Sequence, residues 1–182
     1  MEIAKKEKLS VFQKFLTLAL VFVIGGIFGF IYEEFFYRID LGYWTKRGST
    51  FGPWIPIYGI GAILIVLTTH RLRHKPFMVF VISAAVCGLL EYITGYVLFR
   101  FLDLRLWNYN TEIWNWGDLN GYICIRSVLF FGLSALFLQY ILLPKFKAIA
   151  LKCNTGPRCF VALIPLIMFL ADIIAYGLIS LK

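Results

Sequence analysis

Five predominantly apolar runs, at about residues 15–37, 56–72, 77–101, 123–143 and 160–181, take up most of the 182-residue chain. Crossing a bilayer's hydrocarbon core takes about 20 such residues in a helix, because each backbone N–H and C=O in lipid must be satisfied within its own segment. Runs of this length and number predict an all-α fold: a polytopic transmembrane bundle of about five helices, forming one integral membrane domain over residues 1–182. Composition agrees, with 60% hydrophobic and only 15% charged residues, where soluble domains carry about a quarter charged. The first run ends in IYEEFFYR without a small-residue cleavage site, so it reads as a retained helix rather than a secretory signal.

The cations outside the runs are distributed unevenly. Lys5, Lys6, Lys8 and Lys14 precede the first run, Arg71, Arg73 and Lys75 sit in the hairpin after the second, and Lys145, Lys147, Lys152 and Arg158 follow the fourth. The opposite side holds Arg38, Lys46, Arg47, Arg100, Arg105 and Lys182. By the positive-inside rule the first group is cytoplasmic, which predicts a cytoplasmic N-terminus and an outward C-terminus. The net charge of +8 is then a topology signal. No basic stripe with interleaved aromatics stands on a soluble domain, so nucleic acid is not an expected partner. Trp44, Trp54, Trp107, Trp114 and Trp116 all fall in the two long outward connections, about 38–55 and 102–122, where interfacial aromatics belong.

The stretch Arg47–Gly61, RGSTFGPWIPIYGIG, interrupts this pattern. Pro53 and Pro56 prevent a helix from running through 52–56, while Gly48 and Gly52 permit positive φ. A re-entrant or irregular segment near 47–56 is expected, and irregular backbone at membrane depth is tolerated only when buried in protein or lining a wet cavity. Its free N–H groups, with Arg47, suit an anion such as phosphate or carboxylate; a stiff cap over the bundle is the plainer alternative.

Small residues mark the helix faces that pack. Gly25 and Gly29 form a GxxxG pair whose next step of four is Glu33, and Ala84, Gly88, Glu91 and Gly95 share one stripe of the third run. A charge near the bilayer centre costs at least about 2.5–3.5 kcal/mol, so such residues face the bundle and find partners. Glu33, Glu34, Glu91, Arg126 and Asp172 all fall in the outer half under the predicted topology, at the face where Arg47 arrives. One polar cluster is expected there, with Arg126 paired to Glu91 or Asp172. A pair of that kind serves packing alone, or leaves surplus acids for a cationic or hydroxylated ligand. In the second loop Asn120 and Gly121 suit the turn before Arg126, with Asn120 a further ligand candidate, and Trp107 and Tyr109 suit an interfacial anchor.

Other chemistries are missing. There is no GxxxxGK[ST], HExxH or GxSxG motif. His70 and His74 lack an acid between them and a third ligand, and CNTGPRC lacks a second half-site, so neither a metal nor another cofactor is expected. An enzyme built on this chain would use carboxylate acid/base chemistry, with Glu91 or Glu33 as base and Arg126 or Arg47 stabilising an anion.

The ordered set of Glu33–Glu34, RGSTFGPWIPIYGIGAIL, LLEYITGYVL, RLWNYN, LNGYICIRS and a late Asp172 resembles the bacterial membrane family known as Putative ABC-transporter type IV, or CmpB-like permeases. The resemblance covers roughly residues 20–175. It implies a multi-pass protein of the bacterial inner membrane that serves transport, with motif positions at Glu34, Arg47, Gly48, Gly52, Pro53, Pro56, Tyr58, Gly59, Glu91, Trp107, Tyr109, Asn120 and Gly121. The sequence departs from the pattern at Asn108, where the family more often has Asp, and at Phe131-Gly132, where it has Trp-Gly. An ATPase would have to be a separate chain docking on short, basic cytoplasmic connections. Three functions stay open: a permease with an outward polar pocket for a small polar or lipid-headgroup ligand, a membrane-embedded enzyme for an extracytoplasmic or lipid-linked substrate, and a non-catalytic partner subunit.

Overall fold

The structure, a computed structural model, describes residues 9–48, 50–153 and 157–180. Lys5, Lys6, Lys8 and Lys182, and the side chain of Arg158, all of which entered the charge comparison, lie outside the described residues.

The first run folds as α1 (Val11–Leu41). Its start is a capping box: Ser10 Oγ accepts from the Gln13 N–H at 3.2 Å and Gln13 Oε1 accepts from the Ser10 N–H at 2.9 Å, satisfying two otherwise orphaned donors. Its end is Gly42 in the left-handed region, with the cap N–H donating to the Arg38 carbonyl. At 31 residues the helix is longer than the bilayer core requires, and its last turns stand beyond the expected span.

The described residues of 42–55, which are 42–48 and 50–55, form no helix, and the segment before Pro56 lies back along α1. The Ile55 N–H donates to the Gly26 carbonyl at 3.1 Å, and Gly26 lies fifteen residues before the end of α1, about 22 Å down its axis. Trp54 and Thr50 are buried, so the irregular backbone rests on protein as the membrane setting demands. This return shortens the second helix. The run expected over 56–72 yields α2 (Pro56–Thr69), of 14 residues, and a single 3-10 turn, His70–Leu72. By length and composition four helices can cross a membrane, Val11–Leu41, Pro76–Leu102, Ile125–Lys152 and Ala162–Ile179, and the helix from Pro56 is a shorter fifth.

α3 (Pro76–Leu102) follows a proline-started first turn, then a compact loop leads to α4 (Ile125–Phe137). A five-residue π segment, Leu138–Leu142, joins α4 to α5 (Leu143–Lys152). The fourth expected span stopped at 143 and left a loop over 144–159; the helix instead continues to Lys152, which places Lys145 and Lys147 on helix. Pro144 cannot donate to a carbonyl of the preceding turn, and the wider π turn lies directly before it. The last helix is α6 (Pro157–Ser180), with Pro165 inside it.

α2 fits between α1 and α3 because α1 has no side chain where they meet. A Cβ at Gly25 would stand 2.7 Å from the Ala62 Cβ, and one at Gly29 would fall 2.1 Å from the Tyr58 ring. α3 packs on α2 and α4 through its stripe, with Ala84, Gly88, Glu91 and Gly95 all buried. The apolar core occupies the end of the bundle where α1 begins and the 70–75 hairpin lies, and includes Leu16, Val21, Ile65, Val79 and Leu143. That region is the hairpin end; the opposite one, where α1 and α3 finish, is the loop end. α5 packs against α1, whereas α4 packs against α3, so the π segment marks where the rod changes partners. α6 lies at the periphery against α1 and α5, with Phe169 buried, residues such as Leu163 and Leu166 half-buried and most of the rest exposed, as suits a helix with one face to lipid.

Candidate functional site

The polar residues collect at the loop end, in layers. Nearest the surface, Arg47 Nη2 and Nε both reach Glu33 Oε2 at 2.8 Å. Glu34 Oε1 accepts the Arg47 backbone N–H at 2.8 Å, so consecutive acids of α1 hold both the side chain and the main chain of one loop residue. The guanidinium lies 3.9 Å from the centroid of the Tyr37 ring, a cation–π contact that fixes its plane.

Deeper in, Arg126 at the start of α4 pairs with Glu112 at 2.6 Å. The side chains are 13% and 5% exposed, which makes this a buried ion pair. Tyr37 Oη donates to the other oxygen of Glu112, and the guanidinium lies 3.7 Å from the Phe36 ring centroid. The expected pairing of Arg126 with Glu91 or Asp172 is therefore corrected. Glu112 lies in the second loop, outside every apolar run. It reaches membrane depth because that loop folds inward: Tyr109 N–H donates to Gly121 O at 3.1 Å and Ile125 N–H to Trp116 O at 2.9 Å. The Ile113 N–H also donates to Asp40 Oδ1 at 2.9 Å, pinning the loop to the end of α1.

Glu91 has a different partner. Tyr109 Oη donates to Glu91 Oε1 at 2.6 Å. Burial first, and then the neighbouring Glu91 carboxylate, push the Tyr109 phenol well above its ordinary value, so Tyr109 keeps its proton and acts as the donor. Glu91 Oε2 is buried and has no hydrogen-bond partner at bonding geometry among the described residues, nor have Arg126 Nε and Nη1, although Ser127 approaches Glu91 and Cys124 approaches Arg126. Ser127 is beside Glu91 but commits its proton to the Cys124 carbonyl at 2.9 Å.

These groups face one chamber of about 90 Å³. Glu33, Glu91, Glu112, Arg126, Tyr58 and Tyr109 line its polar end, and Ile24, Phe28, Leu90, Phe131 and Leu142 continue it toward the hairpin end. It thus presents buried donors on a cation, a buried acceptor on an acid and several phenols, above an apolar floor.

Four candidates do not line the chamber: Glu34 and Arg47, which hold each other at the loop end, and Asp172 and Asn120. Asp172, on α6, accepts from the Phe51 and Gly52 N–H groups at 3.2 and 3.1 Å and from Trp54 Nε1 at 2.7 Å. It ties α6 to the returning segment and does not line the chamber. Asn120 has φ of +57° and is exposed; its carbonyl accepts from Arg105 Nη2 at 2.8 Å. Among the motif positions, Gly48 adopts φ of +77° where a Cβ would meet the Trp54 carbonyl at 3.0 Å. Pro56 starts α2, Gly59 lies where a Cβ would meet the Phe22 carbonyl at 2.6 Å, and Trp107 Nε1 donates to the Tyr122 carbonyl at 3.0 Å. No group of three or more His, Cys, Asp or Glu suited to a metal occurs among the described residues.

A bundle of long apolar helices closing over a buried polar chamber defines a multi-pass membrane protein. The chain belongs to the family described as Putative ABC-transporter type IV, whose model matches residues 20–176. No curated protein and no solved structure matches it.

Proposed function

We propose that this protein is the membrane permease of a transport system, that its chamber opens toward the extracytoplasmic side, and that it binds a ligand carrying both an acceptor oxygen and a hydroxyl or amine. One observation supports this reading: Glu91 and Arg126 both line the chamber, and each keeps buried polar atoms, Glu91 Oε2 and Arg126 Nε and Nη1, that lack a hydrogen bond among the described residues. Buried polar atoms left unpaired cost about 1–3 kcal/mol each, more when charged, and a ligand that pairs with both recovers that cost on binding. Family membership supports the transport role. The excess of cations at the hairpin end supports a cytoplasmic N-terminus in a bacterial inner membrane, with any ATPase a separate chain docking there.

A second reading, membrane-embedded catalysis, draws on the same free oxygen. Glu33 is engaged by Arg47, which leaves Glu91 as the available base and Arg126 as the stabiliser of an anion. Vesicles reconstituted with the protein and presented with soluble phosphoethanolamine separate these readings. Recovery of the compound unchanged in the lumen supports transport, a cleaved or modified product supports catalysis, and Glu91→Gln should abolish either one with folded protein retained. A Glu91→Gln variant that binds and moves the compound like wild type overturns the chamber as the site.

A further inference from the structure

The chamber shares a wall with the bilayer-facing surface. On the outer side of that wall, between α1 and α4, lies an open recess of about 440 Å³ whose walls include Phe35, Ile39, Trp114, Trp116, Leu129 and Leu133. All six are large, apolar and 46% to 63% exposed, so they face hydrocarbon and the interfacial region. Tyr32, Phe36, Arg126 and Phe130 line both spaces.

That wall is built of side chains. The close backbone approaches among the long helices are α1 with α2, α2 with α3, α3 with α4, α1 with α5 and α1 with α6. α1 and α4 are bridged by rings, Tyr32 on Phe130 at 3.7 Å and Phe28 on Phe130 and Phe137 at 6.0 and 6.1 Å between centroids. Aromatic side chains turn about two bonds, so this seam opens without either helix moving. The π segment below it is where the rod leaves α3 for α1, so the two helices are joined beneath the seam; above it they are linked only through side chains, Arg126 lying on Phe36 and reaching Tyr37 through Glu112.

Resting on the chamber reading above, we infer that the α1–α4 seam is a lateral gate and that the ligand is a phospholipid drawn from the bilayer. Its apolar chains lodge in the recess, and its head, a phosphate carrying an ammonium or hydroxyl group, passes the Tyr32–Phe130 stack to reach Arg126 and Glu91. The two spaces differ in lining: the chamber, about 90 Å³, has carboxyl, guanidinium and phenol groups at one end, whereas the recess of about 440 Å³ is walled almost wholly by apolar side chains. Arg126 has free N–H groups for the phosphate at the gate itself, and Trp114 and Trp116 sit at the recess as interfacial anchors.

The test uses the full chain in phosphatidylcholine nanodiscs containing a minor fraction of phosphatidylethanolamine with a photoreactive group in its chain. Choline offers no N–H, so the surrounding lipid lacks the donor that Glu91 requires. Labelling should concentrate on Phe35, Ile39, Leu129 and Leu133 over the equally exposed Ile174 and Leu178 of α6, and Arg126→Gln should lower it by roughly tenfold. Because that variant strands Glu112, the doubly neutral Arg126→Gln/Glu112→Gln is measured beside it and should show the same loss. Equal labelling of recess and α6, unchanged in both variants, overturns the gate. If soluble phosphoethanolamine then still binds wild type and loses affinity in Glu91→Gln, the chamber stands and is filled from water; if it binds neither, both proposals fail.

Discussion

Glu112 and Arg126 hold the site together from opposite sides of a helix start. Removing one member of a buried ion pair leaves the other charged and desolvated, at about 3–5 kcal/mol, whereas replacing both with apolar groups is often neutral. Glu112→Ala should therefore destabilise the protein by that amount, and Glu112→Ala/Arg126→Met should recover most of it, as read by reversible unfolding in mixed micelles. Equal losses in the single and double variants would show that the pair is not coupled. Tyr109→Phe removes the hydrogen bond to Glu91 Oε1. It should weaken ligand binding and, by leaving a buried acceptor unpaired, lower stability by about 1–3 kcal/mol, with the helical signal at the wild-type level. Glu91 was legible in the sequence because it shares a stripe with Gly88 and Gly95, a spacing that only a helix converts into one face. Glu112 was not. It lies among Trp, Asn and Gly in a stretch with no apolar run, and its burial comes from the loop's own folding over the bundle, which no local pattern encodes.

Among the elements, α1 and α2 depend on the missing side chain at Gly29. Adding a methyl there drives a carbon into the Tyr58 ring, and overpacking of this kind costs about 1–3 kcal/mol. Gly29→Ala should lower stability by that much, and Gly29→Ala/Tyr58→Ala should regain part of it, measured by the same unfolding experiment. The returning segment depends on Asp172. Asp172→Ala frees the Phe51 and Gly52 amides, whose hydrogen exchange should quicken while that of α3 does not change; unaltered protection at both would mean that other contacts hold the segment. The break over 47–56 was visible from its prolines and glycines, since each acts through local geometry. The place of Asp172 was not visible, because an acid on an apolar helix signals that it has a partner without saying which, and here the partners are two loop amides and the Trp54 indole. The extent of the second helix was legible, the run over 56–72 matching Pro56–Leu72; what hydropathy cannot register is that the preceding loop descends beside Gly26.

At the scale of the molecule, the orientation of the bundle is decided by experiment on exposed positions. Thr50 is buried, so a thiol there would be shielded on either side of the membrane. Lys46→Cys and Thr111→Cys, both at exposed sites, should be labelled on intact cells by an impermeant thiol reagent in a background without the native cysteines. Labelling only after permeabilisation would place the loop end in the cytoplasm and reverse the proposed direction of access.

The brevity of α2 bears on how the chain enters the membrane as it is synthesised. A translocation channel releases segments to lipid by their own affinity for it, and Pro56–Leu72 is short and begins behind two prolines. The glycine face of α1, at Gly25 and Gly29, receives it, and that contact is what would hold it across a bilayer and set the direction of the helices that follow. Bulky residues at Gly25 and Gly29 should consequently yield a mixed population, some molecules with α3 and all that follows inserted upside down.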